Sequence, residues 1–203
     1  IKNILAHLDP HSSYIPPRDV KAEEEQLTGK FNGIGIEFRV IDDTVMVVGA
    51  IKGGPSEKAG ILAGDRIIGL NKQKISLGKL PTDSLINKLK GKAGSQIELI
   101  IIRPFDEGEI MIPVTRGEVP IFSINVHIML NEEVGYIRIN RFSSQTYLEF
   151  KTAVKTLQKI GAEKLVIDVR DNPGGYLTPV VDICDELLNK GRNIVYTKGE
   201  NDR

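Results

Sequence analysis

The chain has 203 residues, enough for one large domain or two small ones with a sizeable core. Hydrophobic residues make up 40 % and charged residues 27 %, a composition that excludes an intrinsically disordered chain. Lysine plus arginine and aspartate plus glutamate both number 27, so the net charge is zero and nothing marks nucleic acid as the partner.

Residues 1–27 open helically, with Ile1, Ile4, Leu5 and Leu8 on one face, until Pro10 stops the helix and SSYIPP forms a loop. DVKAEEEQLTGK follows as a second short helix, closed by Gly29. From there the period shortens. GIGIEFRV and TVMVVGAI read as strands around Asp42-Asp43, GGPSEKAGILAGD as a glycine-bounded helical turn, and RIIGLN as a strand before a tight turn at Lys72-Gln73. PTDSLINKLKGKAG is a helix with Thr82 or Asp83 as its cap and Gly91 beyond its end, and QIELIIIR and EIMIPV form two strands joined by a turn.

After Gly117, IFSINVHIML and VGYIRI are strands around Asn131-Glu132. TYLEFKTAVKTLQKIGA is an amphipathic helix with Leu148, Ala153, Val154, Leu157 and Ile160 on its apolar stripe. Ser143 and Ser144 read as its N-cap. KLVIDVR is a short buried strand, LTPVVDICDELLNKG a helix and NIVYT another strand. Strand–helix–strand alternation of this length implies parallel crossovers and a layered α/β domain, here incomplete.

Most polar side chains have structural readings. His7 and His11 are spaced as metal ligands, but Pro10 breaks the helix that would align them, so no metal site is expected. His127 is a strand side chain, and the run Glu23-Glu24-Glu25 a solvated helix face. Cys184 is the single cysteine, so no internal disulfide forms, and with Val180, Leu187 and Leu188 it is assigned to a core. Arg116 stands at a domain junction, where it has two readings: an inter-domain ion pair or a solvated linker residue. No signal peptide and no apolar run long enough to cross a membrane are present, and the abrupt ends IKNILAHLDP and KGENDR are those expected of a piece of a longer protein.

Two glycine-rich stretches carry the functional reading. In FNGIGIEF the glycines open a strand rather than a helix, which excludes a dinucleotide loop. Two readings of Gly33, Ile34, Gly35 and Ile36 are left: a β-bulge that needs glycine, or a nest of N–H groups for a peptide's terminal carboxylate, with the peptide added to the free strand edge. In the second, the helix over 82–90 walls the groove, and Leu85, Ile86 and Leu89 line a pocket for the last side chain. The other stretch, VIDVRDNPGGYL, ends a β-branched run in Asp168 and Arg170, then turns through Gly174 and Gly175 into a helix. Asp168 and Arg170 are expected to brace that turn rather than act as acid or base.

The order of GIGI, then PSEKAGILAGDRIIGLN, then a helix ending KGKAGSQIELIIIR resembles a bacterial-type PDZ domain over residues 28–117, with GIGI in place of the commoner glycine-leucine-glycine-phenylalanine. Together with LDPHSSYI, GKFNGIGIEF and VIDVRDNPGG, the whole chain resembles the carboxyl-terminal processing peptidases, or tail-specific proteases. That resemblance implies an α+β and α/β multidomain protein: a helical segment at 1–27, the PDZ domain at 28–117, and the first part of a crotonase-like core at 118–203. It implies a serine endopeptidase with a Ser–Lys dyad and no cofactor, acting in the periplasm or at the cell envelope, whose PDZ domain engages the C-termini of protein substrates. The family's Asp-x-Arg-x-Asn-x-Gly-Gly motif falls on Asp168, Arg170, Asn172, Gly174 and Gly175, which makes Gly174 and Gly175 the candidate oxyanion donors. The family places its dyad downstream of this turn. No serine follows Ser144, so nucleophile and base lie outside this chain. A non-catalytic PDZ scaffold is the alternative; a crotonase-like acyl enzyme would have no use for a PDZ domain. The open strand edges of a partial core are expected to make residues 120–203 self-associate.

Overall fold

The computed structural model describes residues 14–42, 44–74, 80–196 and 198. Its first elements are helix α1 (Pro17–Thr28), strands β1 (Lys30–Gly33), β2 (Ile36–Ile41) and β3 (Thr44–Ala50), and the helical turn α2 (Pro55–Lys58). Strands β4 (Arg66–Leu70) and β5 (Gln73–Lys74), helix α3 (Thr82–Leu89), and strands β6 (Gln96–Ile102), β7 (Ile110–Thr115) and β8 (Gly117–Pro120) follow. The chain continues through β9 (Ile124–Met129), β10 (Val134–Ile139), helix α4 (Thr146–Lys159), β11 (Lys164–Asp168) and helix α5 (Leu177–Leu187). The fold is a mixed α+β arrangement in two compact units: Lys30–Ile121, and the described residues up to Gly29 together with those from Phe122 onward. Helix α1 joins the C-terminal unit instead of standing alone, and β8, past Gly117, returns to pair with β1 through Phe31↔Val119.

In the Lys30–Ile121 unit the main sheet runs β2-β3-β4-β6-β7, with β5 folded onto β4. Alternation in the sequence sets its inner face: Val45 and Val47 of β3, and Ile97, Leu99 and Ile101 of β6, are all at most 2 % exposed. Each such side chain contributes about 1.5–3 kcal/mol of transfer free energy. Asn71 and Lys72 both hold positive φ, which makes the β4–β5 connection a tight turn one residue earlier than expected. Helix α3 has no side-chain cap: Pro81 is its boundary residue, Thr82 its first helical one, and it ends at Leu89 with Lys90 already extended. Pro81 lacks an N–H and holds an extended ψ, so it starts the helix where Thr82 or Asp83 was expected to cap it.

In the other unit β11, β10 and β9 form a three-stranded sheet. Strands β10 and β11 are parallel, with Ile137 opposite Ile167, and α4 is the crossover between them. The core holds Ile137, Ile139, Phe150, Ala153, Leu157 and Ile183. The inward face of α4 is Thr146, Phe150, Ala153 and Leu157, whereas Leu148 and Ile160, expected on the stripe, are 64 % and 60 % exposed. Helix α5 buries Pro179 and Ile183, which leaves Cys184 half-buried and Leu187 and Leu188 exposed. The strand expected at 193–197 is absent from 193–196, because β-branched residues form strands only against a partner ladder and none runs beside them among the described residues. His127 is exposed on β9; His7, His11 and the first expected helix lie outside the described residues.

Candidate functional site

The first candidate site is the loop that enters β2. Gly35 holds φ +75°, and a Cβ there would lie 3.1 Å from Val119 Cγ2, so both conformation and space call for glycine. The loop's carbonyls turn inward: Ile34 O accepts the Ser56 N–H at 2.8 Å and Gly35 O the Ile51 N–H at 3.0 Å. The Gly35 N–H has no acceptor among the described residues. Because Gly35 O takes the Ile51 N–H, Ile36 and Ala50 form a non-hydrogen-bonded pair, and the Ile36 N–H and C=O point away from β3. That side is open, since β2 is the outer strand of its sheet.

Of the helix residues expected to line a pocket, Leu85 and Leu89 are 0 % and 5 % exposed and belong to the core, together with Ile34. Ile86 is half-buried, as are Ile36 and Phe38 on β2. Arg116, offered by the sequence as an inter-domain ion-pair or solvated linker residue, makes its hydrogen bonds within this unit. Its guanidinium donates to Lys88 O at 2.8 Å and Leu89 O at 3.1 Å, and reaches Ser95 Oγ and Gln96 O, so it closes the C-terminal end of α3. Its stem passes over Gly91, where a Cβ would lie 2.8 Å from Arg116 Cδ.

The second candidate site is the turn after β11. Asp168, 6 % exposed, accepts from the Tyr136 hydroxyl at 2.6 Å, the Arg170 backbone N–H at 2.9 Å and Arg170 Nη2 at 2.7 Å. The Arg170 side chain, followed by the Tyr136 hydroxyl and the Arg170 N–H, holds its carboxyl well below the usual range. The same contact, led by the hydrogen bond to Asp168, pushes the Tyr136 hydroxyl up. Asp168 and Arg170 therefore brace the turn, as expected. Asn172 ties it to the sheet: Nδ2 donates to Ile139 O at 2.9 Å, and Oδ1 accepts the Gly174 N–H at 2.7 Å.

The two glycines differ. Gly174 holds φ +98° with open space around it; Gly175 holds φ +139°, and a Cβ there would stand 2.0 Å from Phe142 O. Phe142 brackets Gly175 from both sides: its N–H donates to Gly174 O at 2.9 Å, and its carbonyl accepts the Tyr176 N–H at 2.8 Å. The Gly175 N–H has no acceptor among the described residues, whereas that of Gly174 is taken by Asn172. Sequence reasoning missed Tyr136 and Phe142. Tyr136 was within reach, because in-register β10 and β11 place it two residues before Arg138, the partner of Asp168. For Phe142 there was no signal.

Among the described residues no group of three or more His, Cys, Asp or Glu converges for a metal, and no helix is long and apolar enough to cross a membrane. The two candidate sites are thus an open-edged sheet entered by a glycine loop, and a strand-end glycine turn with one N–H that has no acceptor among the described residues. Residues 32–114 match the family model for the PDZ domain, and residues 133–203 that for peptidase family S41. The chain is 34 % identical to the carboxy-terminal-processing protease of Bartonella bacilliformis, over 98 % of this chain and 46 % of that protein. It is 35 % identical to the carboxy-terminal processing protease CtpB of Bacillus subtilis, over 94 % of this chain and 40 % of that protein. Among solved structures it is similar to the photosystem II D1 C-terminal processing protease, at 26 % identity and a TM-score of 0.48, over 89 % of this chain and 50 % of that one. The chain belongs to the carboxyl-terminal processing peptidase family, and it spans less than half the length of these curated relatives.

Proposed function

We propose that this chain is the substrate-capturing domain and part of the catalytic domain of a serine endopeptidase that processes protein C-termini. A substrate's terminal carboxylate enters the N–H groups at Gly33–Ile36, and its last residues extend along the free edge of β2, where Ile36, Phe38 and Ile86 offer apolar surface. The chain is then handed on as a strand to the core. There the Gly175 N–H helps hold the tetrahedral oxyanion, while a Ser–Lys dyad outside this sequence supplies nucleophile and base. By itself this chain cleaves nothing. We assign the whole protein to the periplasm or the cell envelope, a reading supported by family resemblance alone. The outer position of β11, with Val166 43 % exposed, supports self-association of residues 120–203; a monomer at every concentration in sedimentation velocity would remove that part of the reading.

The observation that carries the proposal is the entrance to β2, where the Ile34 and Gly35 carbonyls are tied inward while the Ile36 backbone faces an unoccupied edge. It is tested by titrating the chain with paired peptides that end in the same apolar residue, one as the free acid and one as the amide. The acid is expected to bind and the amide to lose about tenfold or more, one charge-assisted hydrogen-bond set. Equal binding, or none, overturns capture by this loop. If the acid binds but the parent reading frame holds no serine followed by a lysine after residue 203, the protein is a peptide-binding scaffold instead.

A further inference from the structure

The segment that clamps Gly175 is itself bolted down by an unusual group of buried hydroxyls. Ser123, Ser143 and Thr146 are 3 %, 1 % and 0 % exposed. Thr146 Oγ1 donates to Ser123 Oγ at 2.7 Å and accepts the Ser143 N–H at 2.7 Å, and Ser123 Oγ and Ser143 Oγ lie 2.8 Å apart. On one side of Phe142 the Asn140 N–H donates to Ser123 O at 2.8 Å. On the other the Ser144 N–H donates to Leu27 O at 2.9 Å, and Ser144 Oγ to Thr28 O at 2.9 Å. Gly29 leaves the room this needs, since a Cβ there would stand 2.9 Å from Ser143 Oγ.

Ser143 Oγ also accepts the Gln145 N–H at 3.3 Å, a contact before the first turn of α4 rather than a cap on it. Gln145, not Ser143 or Ser144, is the boundary residue of α4, and no side chain caps that helix. Three buried hydroxyls are a poor source of adhesion, because each must regain indoors the hydrogen bonds it loses to water. What a closed hydroxyl network supplies is direction: its members hold one another, and the backbone they bond, in one geometry. The backbone held here is that of Ser143, the residue after Phe142.

We infer that Ser123, Ser143 and Thr146 are positioning residues that fix the Phe142 peptide groups and thereby aim the Gly175 N–H. The inference rests on the reading of Gly175 as an oxyanion donor. An oxyanion donor must be aimed before the reaction, since reorienting it during the reaction would forfeit much of its effect. The Phe142 carbonyl and N–H grip the residues on either side of Gly175, so an error in Phe142 passes directly to the donor between them.

Amide hydrogen exchange of the ¹⁵N-labelled chain tests this. Thr146→Val keeps the buried shape but removes the hydroxyl. It is expected to speed exchange at the Phe142 and Tyr176 amides by about tenfold or more while the β10 amides of Ile137 and Ile139 stay within about twofold, and Thr146→Ser is expected to restore slow exchange. Unchanged rates at Phe142 and Tyr176 would overturn the proposal. So would an equal acceleration everywhere, which is the mark of a merely structural residue. Ser123→Ala, a smaller change at the same network, gives the same readout should Thr146→Val fail to fold. The wild-type spectrum tests the underlying reading separately: the Gly175 amide is expected to be unprotected. Protection there equal to that of Tyr176 would remove the donor role without touching the positioning result.

Discussion

Gly174 and Gly175 are neighbours with different reasons for lacking a side chain. At Gly174 only the backbone angle objects to a Cβ, and Gly174→Ala is expected to cost about 1–2 kcal/mol, the strain of a left-handed non-glycine residue. At Gly175 the φ of +139° is combined with a Cβ position 2.0 Å from Phe142 O. Gly175→Ala must therefore break the clamp, and is expected to cost more than about 3 kcal/mol or to leave the unit unfolded, as read by urea titration followed by circular dichroism. Equal costs at the two sites would mean that Phe142 does not hold the turn. Asp168 gives a pH signature. Its folded pKa is depressed, first by the Arg170 side chain, so its contribution is complete above the unfolded value near 3.9 and is lost as pH falls toward the lower folded one. Asp168→Asn is expected to lower stability at neutral pH and to flatten the decline below about pH 4, measured as melting temperature against pH. An acid limb identical to wild type would show that the carboxylate is not held by the charge pair.

At the scale of elements, α3 shows how a helix end can be finished from elsewhere in the chain. Arg116 lies beyond β7, yet its guanidinium takes the Lys88 and Leu89 carbonyls that the helix leaves open. Arg116→Met keeps most of the stem over Gly91 but removes the donors. It is expected to cost about 1–2 kcal/mol and to speed exchange in the last turn of α3 before any strand amide responds. If β6 responds equally, Arg116 is acting through Ser95 and Gln96 and not through the helix. The same helix marks how far the sequence could be read. Its existence, the β6–β7 hairpin and the α4 crossover all follow from local periodicity and turn residues, and the structure has them. Orientation and capping are not legible in the same way: the stripe puts Leu148 inward, where it is 64 % exposed, and leaves out Phe150, which is 2 % exposed, and the spacing offers Ser143 as a cap that α4 does not use. An apolar stripe on a helix shows which face can be buried, but the neighbouring sheet chooses among adjacent stripes, and a serine before a helix does not reveal that two other hydroxyls are waiting for it. The glycine turn was legible as a motif, and its division of labour was not, because the difference between Gly174 and Gly175 is made by Phe142, distant in sequence.

At the scale of the molecule, each unit has a core of its own, and none of the residues in one appears in the other. Leu85, which the sequence suggested for a peptide pocket, sits at 0 % exposure in the first core, and Phe150, at 2 %, in the second. Truncating them therefore asks whether the chain folds as one cooperative block or as two. Leu85→Ala is expected to remove about 2–5 kcal/mol and Phe150→Ala about 3–5 kcal/mol, each from its own unit. In scanning calorimetry each substitution should pull down one transition and leave the other within about a degree, since interfaces between domains of one chain are usually too small and polar to fuse their unfolding. A single transition that shifts for both variants would mean that the units stabilise one another. The β2 edge and the glycine turn would then be read in every variant through a shared stability, and peptide titrations of core variants would have to be compared at equal fraction folded. Two separable transitions would instead let each site be perturbed alone, and a change in peptide binding caused by Phe150→Ala would then be evidence of coupling between the two sites rather than of partial unfolding.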